Sequence, residues 1–332
     1  MPTQSRRRFL DNAAFAGAAG LSAFSASGKS RAAEPPPETA TVRLEKLPVI
    51  CFAPQYVCEE MLRAEGFTDI RYVETTPEAI SLDLGRGRVD FAANLVPSHI
   101  AAIDAGAAIT FVGGVHAGCY ELFAREGIRS IGDLKGKSVG LYGGLDLISA
   151  IAAYVGLDPK KDLAFVNDPA LKPLELFAEG KLDAYLGLPP EPQILHARKV
   201  GHVILRTAVD RPWSEYFCCM LAGNRDYVRR HPAATKRVIR AFLKAADLCA
   251  SAPEQAARTL VAGGFTDRYE YALQTLNENP YGGWRDYGAE DSVRFYALRL
   301  HDLSFVKSSP QKVLAEGTDF RFFDEVKREL KA

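Results

Sequence analysis

From residue 41 onward, short apolar runs alternate with amphipathic stretches. Residues 41–52 read as a strand broken by Pro48, and residues 57–65 as a helix closed by Gly66. Residues 70–73 form a second strand, 77–84 a helix stopped by Gly85, 89–95 a strand, 98–105 a helix and 109–115 another apolar run. Strand and helix alternating at this spacing predict parallel βαβ units and an α/β fold class. The stretch 128–146, IRSIGDLKGKSVGLYGGLD, restarts the pattern. A strand around Val139 and Leu141 stops at Gly143-Gly144, and an apolar helix runs over 145–155. Such a unit puts a loop and the free N–H groups of a helix start at a strand's C-terminal edge, where open α/β sheets hold ligands.

Two windows repeat one plan. Residues 80–106 (ISLDLGRGRVDFAANLVPSHIAAIDAG) and 174–201 (LELFAEGKLDAYLGLPPEPQILHARKVG) each carry a helix, Gly-x-[Val/Leu]-Asp, a strand, a Pro-containing turn and a second helix. Two lobes on the same pattern account for this, and the turns 94–98 and 188–191 then face one cleft. Residues 119–125 (CYELFAR) read as an extended crossing from the first lobe to the second, and 216–221 (YFCCML) as the return. The predicted division is therefore residues 41–124 and 218–332 in a discontinuous lobe I, and 125–217 in lobe II, with the two crossings as a hinge. His231-Pro232 opens a long amphipathic helix, and the remainder is mostly helical.

Charge and the N-terminus change this picture. The 332-residue chain has 41 basic and 41 acidic residues, but residues 1–33 hold five of the basic ones against the single acid Asp11. The remainder, with 36 basic and 40 acidic residues, is mildly acidic, which argues against a nucleic-acid partner. Arg6-Arg7-Arg8-Phe9-Leu10 before an Ala/Gly-rich run over 13–26 reads as a Tat export signal spanning residues 1–33, so a soluble periplasmic protein is expected. The Tat route carries folded chains from a reducing compartment, so the six cysteines (51, 58, 119, 218, 219 and 249) are expected as buried free thiols, with Cys218-Cys219 the exception to watch.

Enzyme signatures are missing: there is no G-x-S-x-G, H-E-x-x-H, Walker loop or C-x-x-C, and no histidine sits at a metal-ligand spacing. No catalytic residue, cofactor or metal is expected. The phrase Ser130-Ile131-x-Asp133-Leu134-Lys135-Gly136-Lys137-x-Val139, well after an export signal, resembles the solute-binding proteins of ABC importers of the nitrate, sulfonate and taurine type. That group includes the thiamine-pyrimidine-precursor binders. The resemblance implies a two-lobed type II periplasmic-binding-protein fold, a small-molecule ligand in the cleft, closure about a two-strand hinge, and a monomer that delivers to an ABC permease and its ATPase. It leaves two alternatives: a thiamine-pyrimidine-synthase-like enzyme, or the ligand-binding component of a membrane sensor.

Candidate ligand-binding residues come from the turns and the aromatics beside them. They are Gln55 and Tyr56 after the first strand, Asn94 and Leu95, His116, Tyr142, Gly143, Gly144, Asp146, Pro190, Glu191, Trp213 and Tyr216. Asp146 and Glu191 stand at matched helix starts, where a carboxylate repels an anion. Tyr142 and Trp213 offer stacking faces. Together they predict a planar, uncharged or weakly cationic solute, such as a pyrimidine or another nitrogen heterocycle.

Overall fold

The computed structural model describes residues 34–331, so the export signal expected over 1–33 lies outside the described residues. Ten strands form two five-stranded sheets. The first sheet contains β1 (Thr41–Lys46), β2 (Asp69–Glu74), β3 (Phe91–Leu95), β4 (Ile109–Ala117) and β10 (Phe217–Asn224), in the order β2-β1-β3-β10-β4. The second contains β5 (Glu121–Ala124), β6 (Lys137–Leu141), β7 (Leu163–Val166), β8 (Ala184–Gly187) and β9 (His202–Arg206), in the order β7-β6-β8-β5-β9. The two orders correspond strand for strand: β1–β4 match β6–β9, and each sheet takes one antiparallel strand, β10 or β5, next to its central strand. Helices cover these sheets, and none among the described residues is long and apolar enough to cross a membrane.

The repeated Gly-x-x-Asp signature has a structural purpose. Asp90 Oδ2 accepts the Arg43 N–H of β1 at 2.8 Å, and Asp183 Oδ2 accepts the Ser138 N–H of β6 at 2.9 Å. The Asp90 carbonyl accepts the Asn224 N–H at the end of β10, and the Asp183 carbonyl accepts Arg125 N–H just after β5, each at 2.9 Å. Each Asp therefore locks its central strand to both neighbours where the ladder begins.

Strand β5 differs from the sequence expectation. Residues 121–124 are not a free crossing: they pair with both β8 and β9, because every second main-chain group of an extended buried segment needs a partner. The crossings shrink to residues 118–120 and 207–216, between the sheets. They are tied together by Thr207, whose Oγ1 accepts the N–H groups of Cys119 (3.1 Å) and Tyr120 (2.9 Å) and donates to the Tyr120 carbonyl (3.1 Å). Gly118 sits at φ +59°, and a Cβ there would lie 2.2 Å from the Ala208 Cα, so only glycine lets the two crossings pass. The expected helix over 57–65 is instead two short helices, Ala53–Val57 and Glu59–Ala64, meeting at Cys58. The amphipathic Pro232–Ser251 buries Val238, Ile239, Phe242, Leu243 and Ala246 and packs on Ala53–Val57 and β4.

Candidate functional site

The loops that follow β1, β3, β6 and β8 converge between the sheets on one deep cavity. Its walls include Cys51 and Phe52 after β1, Asn94, Leu95 and Ser98 around the end of β3, Gly143 and Gly144 after β6, Leu188 after β8, and Tyr120 and Cys219 from below. Its volume is only about 30 Å³, room for a water or two, so a ring-sized solute enters only if the walls separate. A wider groove of about 490 Å³ adjoins it, sharing Pro77, Ser98, Gly143 and Gly144 and adding Glu78, Asp146 and Asn167. Among the described residues, no basic side chain lines either space. Gly144, at φ +76°, starts the helix Leu145–Tyr154, and a Cβ there would press to 3.1 Å on the Tyr120 ring.

Asn94 is held in place from behind. Its Nδ2 donates to Ser81 Oγ at 3.3 Å, and Ser81 Oγ lies 3.0 Å from His99 Nδ1. Burial drives the His99 pKa down to about 3, so this imidazole is neutral. Asp146 lines the groove and bonds to Ser98, and partial burial raises its carboxyl above the usual range against that bond.

Other expected residues are used elsewhere. Gln55 is buried, donating to the Glu45 carbonyl at 2.9 Å and accepting the Ala93 N–H at 3.2 Å. Tyr56 donates to the Leu47 carbonyl and stacks on Phe265 at 4.1 Å, facing the core rather than the cleft. Trp213, 1% exposed, packs among Tyr154, Phe295 and Tyr296, and Tyr216 stacks on Phe295 at 3.9 Å. Neither offers a ring face to the cleft, because the helix Ala289–Asp302 claims both. Glu191 accepts from Tyr185 Oη at 2.6 Å and Leu188 N–H at 3.3 Å, so it braces its own turn; burial, opposed by those bonds, pushes its carboxyl up to about 7. Pro190 precedes that helix without lining the cavity. Tyr142 is half-buried, its hydroxyl pKa raised by burial and then by the charges of Glu78 and Glu191. The matched acid pair thus contributes one cleft residue, Asp146, and Glu78 is the second acid.

His116 lines neither space: its buried side chain, Cys51, Cys119 and Cys219 form a cluster whose four donor atoms fall within 4.8 Å of one another. His116 and Cys119 stand three positions apart in sequence, and Cys51 and Cys219 join them only through the fold. Burial resists ionisation of Cys51, yet the neighbouring thiols of Cys119 and Cys219 and the His116 imidazole hold its pKa well below the usual thiol value. All six cysteines are buried and unbridged. Ser98 is legible in hindsight, since it ends the turn 94–98.

Two α/β halves joined by two crossings, with a cleft at the strand ends, make up the periplasmic-binding-protein fold. The periplasmic nitrate-binding protein NrtA of Synechocystis PCC 6803 matches with a TM-score of 0.76 at 15% identity, over 89% of this chain and 90% of its own. The alkanesulfonate-binding protein SsuA of Xanthomonas axonopodis pv. citri, bound to MOPS, matches at 0.66 and 17% identity over 81% and 95%. The aliphatic sulphonate binding protein SsuA of Escherichia coli matches at 0.63 and 19% identity over 82% and 90%. The chain itself belongs to the NMT1/THI5-like family, whose profile matches residues 63–256. No curated protein sequence matches it significantly.

Proposed function

We propose that this protein is the solute receptor of an ABC importer, exported by the Tat route to the periplasm. It captures a small planar solute between two lobes and presents it to a permease and its ATPase as a monomer, without chemistry on the solute. The observation that carries this reading is the deep cavity walled by both halves of the fold, with Asn94 and Ser98 on one side and Gly143, Gly144 and Leu188 on the other. A site made of two separable walls gains its ligand affinity in the closed form, so the ligand shifts an open–closed equilibrium. The nitrate- and sulfonate-binding neighbours share the fold and lend this reading further support.

The solute is uncharged or weakly cationic, with a nitrogen heterocycle such as a pyrimidine as the leading class. Asp146 and Glu78 line the groove with no basic side chain beside them among the described residues, and an unmatched anion in a closed, desolvated cleft costs several kcal/mol. Tyr120, buried at the cavity wall, is the aromatic surface available for packing. A thermal-shift screen of pyrimidines, other heterocycles, amines, alkanesulfonates and nitrate tests this, since a bound ligand raises apparent stability by mass action. A heterocycle or amine is expected to give a saturable shift that Asp146→Ala weakens. A shift from taurine, another sulfonate or nitrate alone, left intact by Asp146→Ala, would overturn the solute assignment.

A further inference from the structure

Three thiols and one imidazole meet beneath the cleft from four separate parts of the fold. Cys51 comes from the loop after β1, His116 from the end of β4, Cys119 from the first crossing and Cys219 from β10, all buried. Their donor atoms lie within 4.8 Å of one another. Two independent features separate this from thiols that merely fill a core. His116 Nδ1 lies 2.7 Å from the Gly118 carbonyl, and since a carbonyl only accepts, Nδ1 carries a proton and Nε2 is the ring nitrogen left to serve as a ligand. That Nε2 is buried and has no hydrogen-bond partner. A ring nitrogen presented this way, with the opposite N–H anchored to a carbonyl, is how proteins orient imidazole toward a metal. The second feature is in the sheet: β10 pairs Cys219 with His116, and the register slips on both sides of Cys219. Such irregularities re-aim side chains, here bringing a thiol beside the imidazole.

We propose that Cys51, His116, Cys119 and Cys219 bind a zinc ion in a tetrahedral site of three sulfurs and one nitrogen. Zinc–sulfur bonds of about 2.3 Å place tetrahedral sulfurs about 3.8 Å apart, so the donors need to draw in by no more than about 1 Å. Zinc displaces the thiol protons to solvent as its sulfur bonds form, and His116 keeps its Nδ1 proton on Gly118. Cys51 and Cys219 also line the deep cavity, so the ion would form part of its floor and tie the first crossing, through Cys119, to the first sheet. Cys218, 3.8 Å from Cys119 sulfur to sulfur, stands outside the four. The site does not depend on which solute enters the cleft.

The test uses the full chain, purified under reducing conditions without chelator, and reads metal directly. Elemental analysis should find about one zinc per chain. Replacing zinc with cobalt(II) should give the strong visible bands of a tetrahedral ion and a thiolate charge-transfer band, with that band weaker by about a third in each of Cys51→Ser and Cys219→Ser. Cys249→Ser, a buried thiol away from the cluster, should leave the spectrum unchanged. His116→Gln, which keeps an amide in place of the ring, should lower zinc affinity at least tenfold while the chain still unfolds cooperatively. Absence of the charge-transfer band in reduced, cooperatively folding wild-type protein would overturn the proposal. So would retention of copper(I) with no zinc or cobalt uptake, or a Cys119–Cys218 disulfide in protein isolated without reductant that takes up no metal once reduced.

Discussion

Glu45 has no contact with the cleft, yet it carries a clear pH consequence. Its Oε1 accepts the Ala93 N–H at 2.9 Å, its Oε2 is buried without a partner, and burial pushes its carboxyl up to about 8 from an ordinary value of 4.5. Folding therefore takes up a proton between those two values. The contribution to stability is whole below pH 4.5, declines as pH rises through the window, and is gone above about 8. Each pH unit of that window costs at most about 1.4 kcal/mol. Glu45→Gln keeps the acceptor and sets a neutral amide at the unpartnered position, so its urea-unfolding free energy should fall less between about pH 5 and pH 8 than that of the wild type. Parallel curves would show that Glu45 is not protonated in the folded chain. Residue roles were the least legible part of the sequence. Gln55 and Tyr56 stand beside the right strand end, but whether a side chain faces a cleft or the core depends on which helix packs over it, and for Tyr56 that is settled by Phe265, more than 200 positions away in sequence.

Strand and helix identities were legible wherever a segment's own periodicity decided them: β2, β3, β6, the glycine-started helix Leu145–Tyr154 and the long helix Pro232–Ser251 follow the pattern of apolar positions. Strand β5 was misread because four residues carry no period of their own; pairing with β8 and β9 makes them a strand. The crossings are elements whose contact is specified by one small residue. Gly118→Ala would set a Cβ 2.2 Å from the Ala208 backbone at a left-handed φ, with no flexible side chain to yield. The expected loss is roughly 2–4 kcal/mol of unfolding free energy by chemical denaturation, from collision and backbone strain combined. A change below about 0.5 kcal/mol would mean that the crossings do not touch in solution.

For the whole molecule, the proposed receptor mechanism makes closure around the cavity of about 30 Å³, walled from both sheets, the event to measure. Small-angle scattering of the chain with a saturating ligand from the thermal-shift screen should show a smaller radius of gyration than without it. Identical profiles would identify a receptor that does not open. What the sequence determined by itself was the plan: alternating elements, an internal repeat and its Gly-x-x-Asp locks, because periodicity and main-chain pairing act over short range. The repeat pointed to the strand ends around which these two spaces open, and Asn94, Leu95, Gly143, Gly144 and Asp146 line them. Only the tertiary structure decided that Trp213 and Tyr216 belong to the core, that Glu191 braces its own turn, and that Cys51, His116, Cys119 and Cys219 share one buried point. Those outcomes rest on packing between segments as many as 168 positions apart, from Cys51 to Cys219, and such contacts leave no local pattern in the chain.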